Sequence, residues 1–176
     1  MEIKDLKQLE KESIKRSIPI IGSVKGKWLL DKVKELKPKK ILELGTANGY
    51  SGIILGSEKG ELITIEQNKK IAEEARVNFD KFNIKAEILI GDANFIIKDL
   101  KGKLDLIYID HNKKGYVKVF DYCIRLLNKN GVIIADNISF DECKDFKDKI
   151  LKDSRLKTEI IDIEDGLSYS LRLSKV

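Results

Sequence analysis

Two cysteines, two prolines, one histidine and one tryptophan are all that the 176 residues contain of those types. Cys123 and Cys143 form no CxxC pair and have no histidine partner nearby, which argues against a disulfide framework and against a zinc site. They are expected as reduced, packed thiols. No apolar run approaches the ~20 residues of a membrane span, so no membrane partner is expected. The opening MEIKDLKQLEKESIKR is charged and helix-like rather than a basic start followed by an apolar stretch. A secretory signal is therefore not expected, and the reading places the chain in the cytoplasm. Linkers rich in Pro, Gly or Ser, low-complexity tracts and internal repeats are also missing, which points to one domain over 1–176.

What is present is charge and β-branched bulk. Hydrophobic residues make up 42% of the chain, enough to cover both faces of a sheet, and charged residues 36%. The net charge of +5 and pI near 9.0 favour polyanions, yet the lysines are spread through nearly every segment beside acids, so the pull toward nucleic acid is weak. Abundant Lys, Glu and Ile with little Gln resembles the composition of heat-adapted proteins.

Residues 3–17 read as a charged amphipathic helix ended by Pro19, and a second helix runs from Lys25 to Leu36 with Trp28, Leu29, Val33 and Leu36 on one stripe. These helices (1–36) precede a core over 40–176. Short apolar runs at 41–44, 61–66, 86–91, 104–110 and 131–136 are strand candidates, and helical patterns lie between them at 50–55, 69–82, 94–100 and 116–127. A further helix at 141–153 leads to TEIIDI and LSYSLRL, whose spacing through Glu164, Asp165 and Gly166 suits a hairpin. The alternation predicts an α/β fold: a seven-stranded, mostly parallel sheet with an antiparallel C-terminal strand and helices on both faces.

Ligands of such a sheet gather outside the carboxyl ends of its strands. There ELGTANGYS offers a carboxylate, Glu43, with Gly45 and Gly49 before a helix start. It departs from GxGxxG, since the second and third glycine places hold Ala47 and Tyr50, which disfavours a pyrophosphate cradle and an NAD-dependent oxidoreductase. Glu66 ends the next strand, placed to accept hydrogen bonds from both hydroxyls of a ribose. GDAN follows the third, with Asp92 and Asn94 in reach of an adenine edge. YIDHNKKGY, after the fourth, sets an aspartate, a histidine and two lysines in quick succession.

The E-x-G-x-x-x-G loop with an acid ending the next strand resembles the cofactor site of class I S-adenosylmethionine-dependent methyltransferases of the Rossmann-like type. Together, ELGTANGYS, IDHNKKGY, GVIIADN and EDGL resemble the catechol and caffeoyl-CoA type O-methyltransferases, over roughly Lys25 to Leu173. The resemblance implies methyl transfer from S-adenosylmethionine to a hydroxyl oxygen, dependent on Mg²⁺ or another hard divalent cation. It implies Asp110, Asp136 and Asn137 as metal ligands, Lys113 as base, Glu66 on the ribose, Gly45 and Ser51 near the methionine portion, and Asp92, Ala93 and Asn94 beside adenine. Glu43, Gly49 and Asp110 complete the expected cofactor set. Aspartate and asparagine oxygens are hard donors suited to Mg²⁺, and three of them leave room for water and substrate.

Each feature also has a plainer reading. The plainer readings are ELGTANG as a packing turn, Glu66 as a solvated strand end, Asp136-Asn137 as a turn or cap, and Tyr50 and Trp28 as core. His111 reads as an orienting or packing residue beside the site. Ser168 follows EDGL where catechol-specific relatives carry an acid, and the segment before the first helix is short, which leaves the acceptor open. The expected partner is a small hydroxyl-bearing, vicinal-dihydroxy acceptor. The rivals are tRNA, through 5-hydroxyuridine O-methylation, and a non-catalytic adenosyl-binding module. Methylation of base nitrogens is disfavoured because no N/D-P-P-Y/F motif follows the fourth strand. Pairing as a homodimer is left open by the sequence.

Overall fold

The structure is a computed structural model that describes residues 1–174, so the last two residues of the expected 1–176 domain lie outside the described residues. In chain order the elements are α1 (Lys7–Lys15), α2 (Gly22–Leu36), β1 (Lys40–Leu44), α3 (Tyr50–Leu55), β2 (Glu61–Glu66), α4 (Lys69–Lys81) and β3 (Ala86–Ile90). There follow α5 (Ala93–Asp99), β4 (Leu104–Ile109), α6 (Tyr116–Leu126), β5 (Leu127–Asp136), α7 (Lys144–Lys152), β6 (Leu156–Ile161) and β7 (Leu167–Arg172). The seven strands form one sheet in the order β3-β2-β1-β4-β5-β7-β6. Strands β1 to β5 pair in parallel, while β7 runs antiparallel to both β5 and β6, as the pattern predicts.

Strand alternation divides the core into two layers. Leu42, Leu44, Ile107, Ile109, Ile133 and Ala135 face the helices α5, α6 and α7, where Ile97, Phe120, Cys123 and Phe146 meet them. Ile41, Leu106, Tyr108, Val132 and Ile134 face α1 to α4, against Leu29, Val33, Ile53 and Phe79. Both cysteines are free and buried, in keeping with packed thiols.

Of the boundaries that differ from the pattern reading, three bear on the core or the site. The first helix begins as a 3-10 turn at Ile3–Leu6, and it stops at Lys15 because the chain reverses through Ser17 at φ 54°, ahead of Pro19. Helix α2 starts at Gly22, three residues early, which brings Lys25 inside its first turns. Strand β5 begins at Leu127 rather than 131, because Leu127 pairs with Leu104 across a register shift and Asn130 (φ 61°) absorbs the irregularity.

Candidate active site

The carboxyl ends of β1, β2, β3 and β4 surround a cavity of about 410 Å³. Gly45, Ser51, Glu66, Asp92, Ala93, Asp110 and Lys113 all line it, so most of the predicted cofactor set converges. Gly45 has to be glycine: its φ is 100°, and a Cβ there would lie 2.2 Å from the carbonyl oxygen of Asp110. The loop can therefore lie flat against the end of β4, where the Asp110 N–H donates to the Leu44 carbonyl at 2.8 Å.

Glu66 is fixed by backbone donors. Its Oε2 accepts the Ala47 N–H at 3.0 Å and its Oε1 the Asn68 N–H at 2.8 Å. Each oxygen keeps a second lone pair for a ligand hydroxyl. Asp92 caps α5, its Oδ1 accepting from the Asn94 N–H and Nδ2, both at 2.8 Å.

Three predicted cofactor residues stand off the cavity wall. Glu43 is fully buried under the loop, where it accepts from Ser51 Oγ at 2.6 Å and Thr64 Oγ1 at 2.5 Å. Burial, reinforced by the nearby Asp110 and Glu66, pushes its pKa up from 4.5 to about 8 against those two hydroxyls. Gly49 (φ 92°) turns the chain into α3 against Phe79 and Ala75. The Asn94 side chain is drawn back onto Asp92 and lies over Gly115.

On the β4 side, Lys113 Nζ donates to Asp110 Oδ1 at 2.5 Å and to the Tyr116 hydroxyl at 3.0 Å. The two residues are three apart, but the 3-10 turn begins only at Lys113; a non-helical bend through His111 and Asn112 brings their side chains together. Burial raises the Asp110 pKa to about 6; Lys113 opposes that and Asp136 adds to it. His111 lines the cavity too, its Nε2 buried without a partner. Burial, then the charge of Lys113, lowers its pKa to about 4, so the imidazole is neutral near pH 7. Tyr50 belongs to core and cavity at once, 1% exposed with a buried, unpartnered hydroxyl at the wall.

A second cavity, about 420 Å³, shares Ile20 and Ile21 with the first and is lined by Glu10, Val24, Lys25, Asn137, Glu164 and Asp165 among others. Asp136, 1% exposed, is not part of that lining; it directly precedes Asn137 at the end of β5 and contacts Lys25. Lys25, 4% exposed, bridges Asp136 Oδ1 and Asp165 Oδ1. Burial alone would lower its pKa; the two carboxylates more than reverse this and hold it above the ordinary lysine value. Asp136 itself is raised, by burial first, despite Lys25.

The motif reading left Lys25 and Asp165 without a role in the site. Lys25 carried a signal: it sits four residues before the buried Leu29 and eight before Val33, extending the apolar stripe of α2 with a charge. Asp165 falls in the EDGL motif and in the expected hairpin turn, neither of which assigns it a role.

The donor chemistry suits a hard divalent cation. Asp110 Oδ2, Asp136 Oδ2 and Asn137 Oδ1 are used by none of the hydrogen bonds that hold these side chains. Among the described residues no group of three His, Cys, Asp or Glu side chains is placed to hold a metal ion; the third predicted ligand, Asn137, is an amide.

A sheet of this strand order, with a glycine loop after β1 and an acid ending β2, defines the Rossmann-like methyltransferase fold. The family follows from sequence: residues 2–173 match the O-methyltransferase family model, and the chain belongs to that family. It is 32% identical over 124 residues to a catechol O-methyltransferase of Mycobacterium tuberculosis, covering 67% of this chain and 56% of that protein. With a catechol O-methyltransferase of Niastella koreensis it shares 35% over 125 residues, covering 66% and 57%. The chain thus spans a little over half the length of these curated relatives. Among solved structures, an SAH-bound methyltransferase from Podospora anserina superposes with a TM-score of 0.80 at 25% identity, over 89% of this chain and 80% of that one. No helix among the described residues is long and apolar enough to cross a membrane.

Proposed function

We propose that the protein transfers a methyl group from S-adenosylmethionine to a hydroxyl oxygen of a small acceptor, in a reaction that depends on a divalent cation of the Mg²⁺ class. The observation that carries this reading is one cavity in which Gly45, Glu66 and Asp92 face Asp110 and Lys113. Glu66 accepts from the ribose hydroxyls, Asp92 and Ala93 lie beside adenine, and Gly45 and Ser51 border the methionine portion.

Asp110, Asp136 and Asn137 would hold the cation through their three uncommitted oxygens. When bound, it supplies Lewis acidity that lowers the pKa of a neighbouring hydroxyl. Lys113 would serve as the base that takes the hydroxyl proton, and the oxygen would displace S-adenosylhomocysteine from the methyl carbon, the oxygen–methyl bond forming as the sulfur–methyl bond breaks. Holding both reactants in line contributes on the order of 7–11 kcal/mol in the best-oriented cases. His111, neutral and without hydrogen-bond reach to Lys113 or Asp110, is assigned an orienting and packing role.

The acceptor is assigned as a small vicinal diol of phenolic type. Two adjacent oxygens chelate a cation and leave one of them presented to the methyl group. The second cavity is apolar on the Ile20, Ile21 and Val24 side and carries the acids Glu10, Glu164 and Asp165, a poor surface for a polyanion. The net charge of +5 is the observation that favours the alternative, hydroxylated tRNA. Methyl transfer to a vicinal diphenol, a single phenol and 5-hydroxyuridine-containing tRNA, measured side by side, decides between them. The diphenol should be the best acceptor; transfer to tRNA alone would replace this acceptor assignment.

A further inference from the structure

We propose that Lys25 and Asp165 act together as a positioning pair that turns the oxygens of Asp136 and Asn137 toward the divalent cation, a role that rests on the metal-dependent reading above. The pair joins three places far apart in sequence: the start of α2, the end of β5 and the turn between β6 and β7. A lysine 4% exposed is rare unless paired, and this one is paired twice.

The geometry follows from donor and acceptor counting. A carboxylate only accepts, so Asp165 Oδ2, at 2.6 Å from Asn137 Nδ2, compels the amide nitrogen to face it. The Asn137 carbonyl oxygen must then face the other way. Asn137 holds φ 54°, a left-handed conformation that asparagine tolerates, directly after Asp136. Lys25 performs the same service for Asp136. Its ammonium and the Asn137 N–H, the latter at 2.7 Å, both take Oδ1, so the rotamer is fixed and Oδ2 is left uncommitted. Lys25 also holds Asp165 through Oδ1, so the carboxylate that orients Asn137 is itself anchored.

An ion pair that acted only through its charge would behave differently. Lys25 places a positive charge beside the donors, and Asp165 a negative one, so their summed charge is zero. Removing both leaves the local charge unaltered but releases both rotamers. Loss of affinity in the doubly substituted protein is therefore a signature of positioning.

The experiment measures Mn²⁺ affinity by the electron paramagnetic resonance signal of free Mn²⁺, using the full chain with S-adenosylhomocysteine bound. Asp165→Asn and the double variant Lys25→Met/Asp165→Asn should each bind Mn²⁺ 10–100-fold more weakly, the range for residues that orient metal ligands. Calorimetric S-adenosylhomocysteine affinity, taken in chelator, should be unchanged and reports that the fold is intact. Wild-type Mn²⁺ affinity in the double variant would overturn the proposal. Should that variant lose S-adenosylhomocysteine binding, the charge-conserving Asp165→Glu decides, since it shifts the carboxylate away from Asn137 without changing the local charge; undiminished Mn²⁺ binding by it would equally overturn the proposal. A wild-type protein that binds S-adenosylhomocysteine but no Mn²⁺ would remove the metal-dependent reading and this inference with it.

Discussion

Glu43→Gln should flatten the dependence of stability on pH between about 4.5 and about 8. The carboxyl is fully buried beneath the glycine loop, and its pKa is pushed up from 4.5 to about 8, chiefly by burial. Over that interval the folded protein keeps a proton that the unfolded chain has released. Stability therefore falls as pH rises through the interval, and it levels off above about 8. At about 1.36 kcal/mol per pH unit the gap amounts to roughly 5 kcal/mol, an order-of-magnitude ceiling. Glutamine keeps the shape, can accept from one of Ser51 and Thr64 while donating to the other, and carries no proton to lose. Urea unfolding of the ligand-free protein at about pH 5 and about pH 8 measures the difference. The wild type should lose several kcal/mol across the range and the variant much less. Parallel losses in the two proteins would refute the buried, protonated carboxyl.

Glu66→Ala should weaken S-adenosylhomocysteine binding in chelator, measured by calorimetry, because it removes both the ribose acceptor and the anchor of the Ala47 N–H. Gly45→Ala should destabilise the fold by on the order of 1–3 kcal/mol from backbone conformation alone. It should also impair cofactor binding, since the added methyl meets the Asp110 carbonyl; an unfolding midpoint and affinity equal to wild type would contradict the close approach. Lys113→Met should suppress turnover most at low pH, where the acceptor is seldom ionised, and least at high pH; equal loss at every pH would reduce Lys113 to a positioning role.

The sheet was legible because each strand is a short β-branched apolar run set off by turn residues, and because helix and strand alternate at the spacing of parallel crossovers. The second strand matches its run residue for residue, from Glu61 to Glu66. The cavity was legible where side chains follow the last strand residue, as with Asp92 and Asp110, since those positions open onto the sheet's end. Glu43 lies inside its strand, and alternation decides its direction: Leu42 and Leu44 face one layer, so Glu43 points into the other, toward Ser51 of α3. Motif spacing alone does not carry that distinction. Lys25 escaped because a lysine on an apolar stripe reads as solvated until its partners are known, and both partners are more than a hundred residues away.

The most direct test of the account is methyl transfer from S-adenosylmethionine to a vicinal diphenol, followed with labelled methyl in the presence of Mg²⁺ and again in excess chelator. Turnover is expected with Mg²⁺, none in chelator, and restoration when the cation is returned, while S-adenosylhomocysteine still binds in chelator. Turnover that continues undiminished in chelator would contradict the assignment of Asp110, Asp136 and Asn137 as cation ligands and, with it, the proposed mechanism.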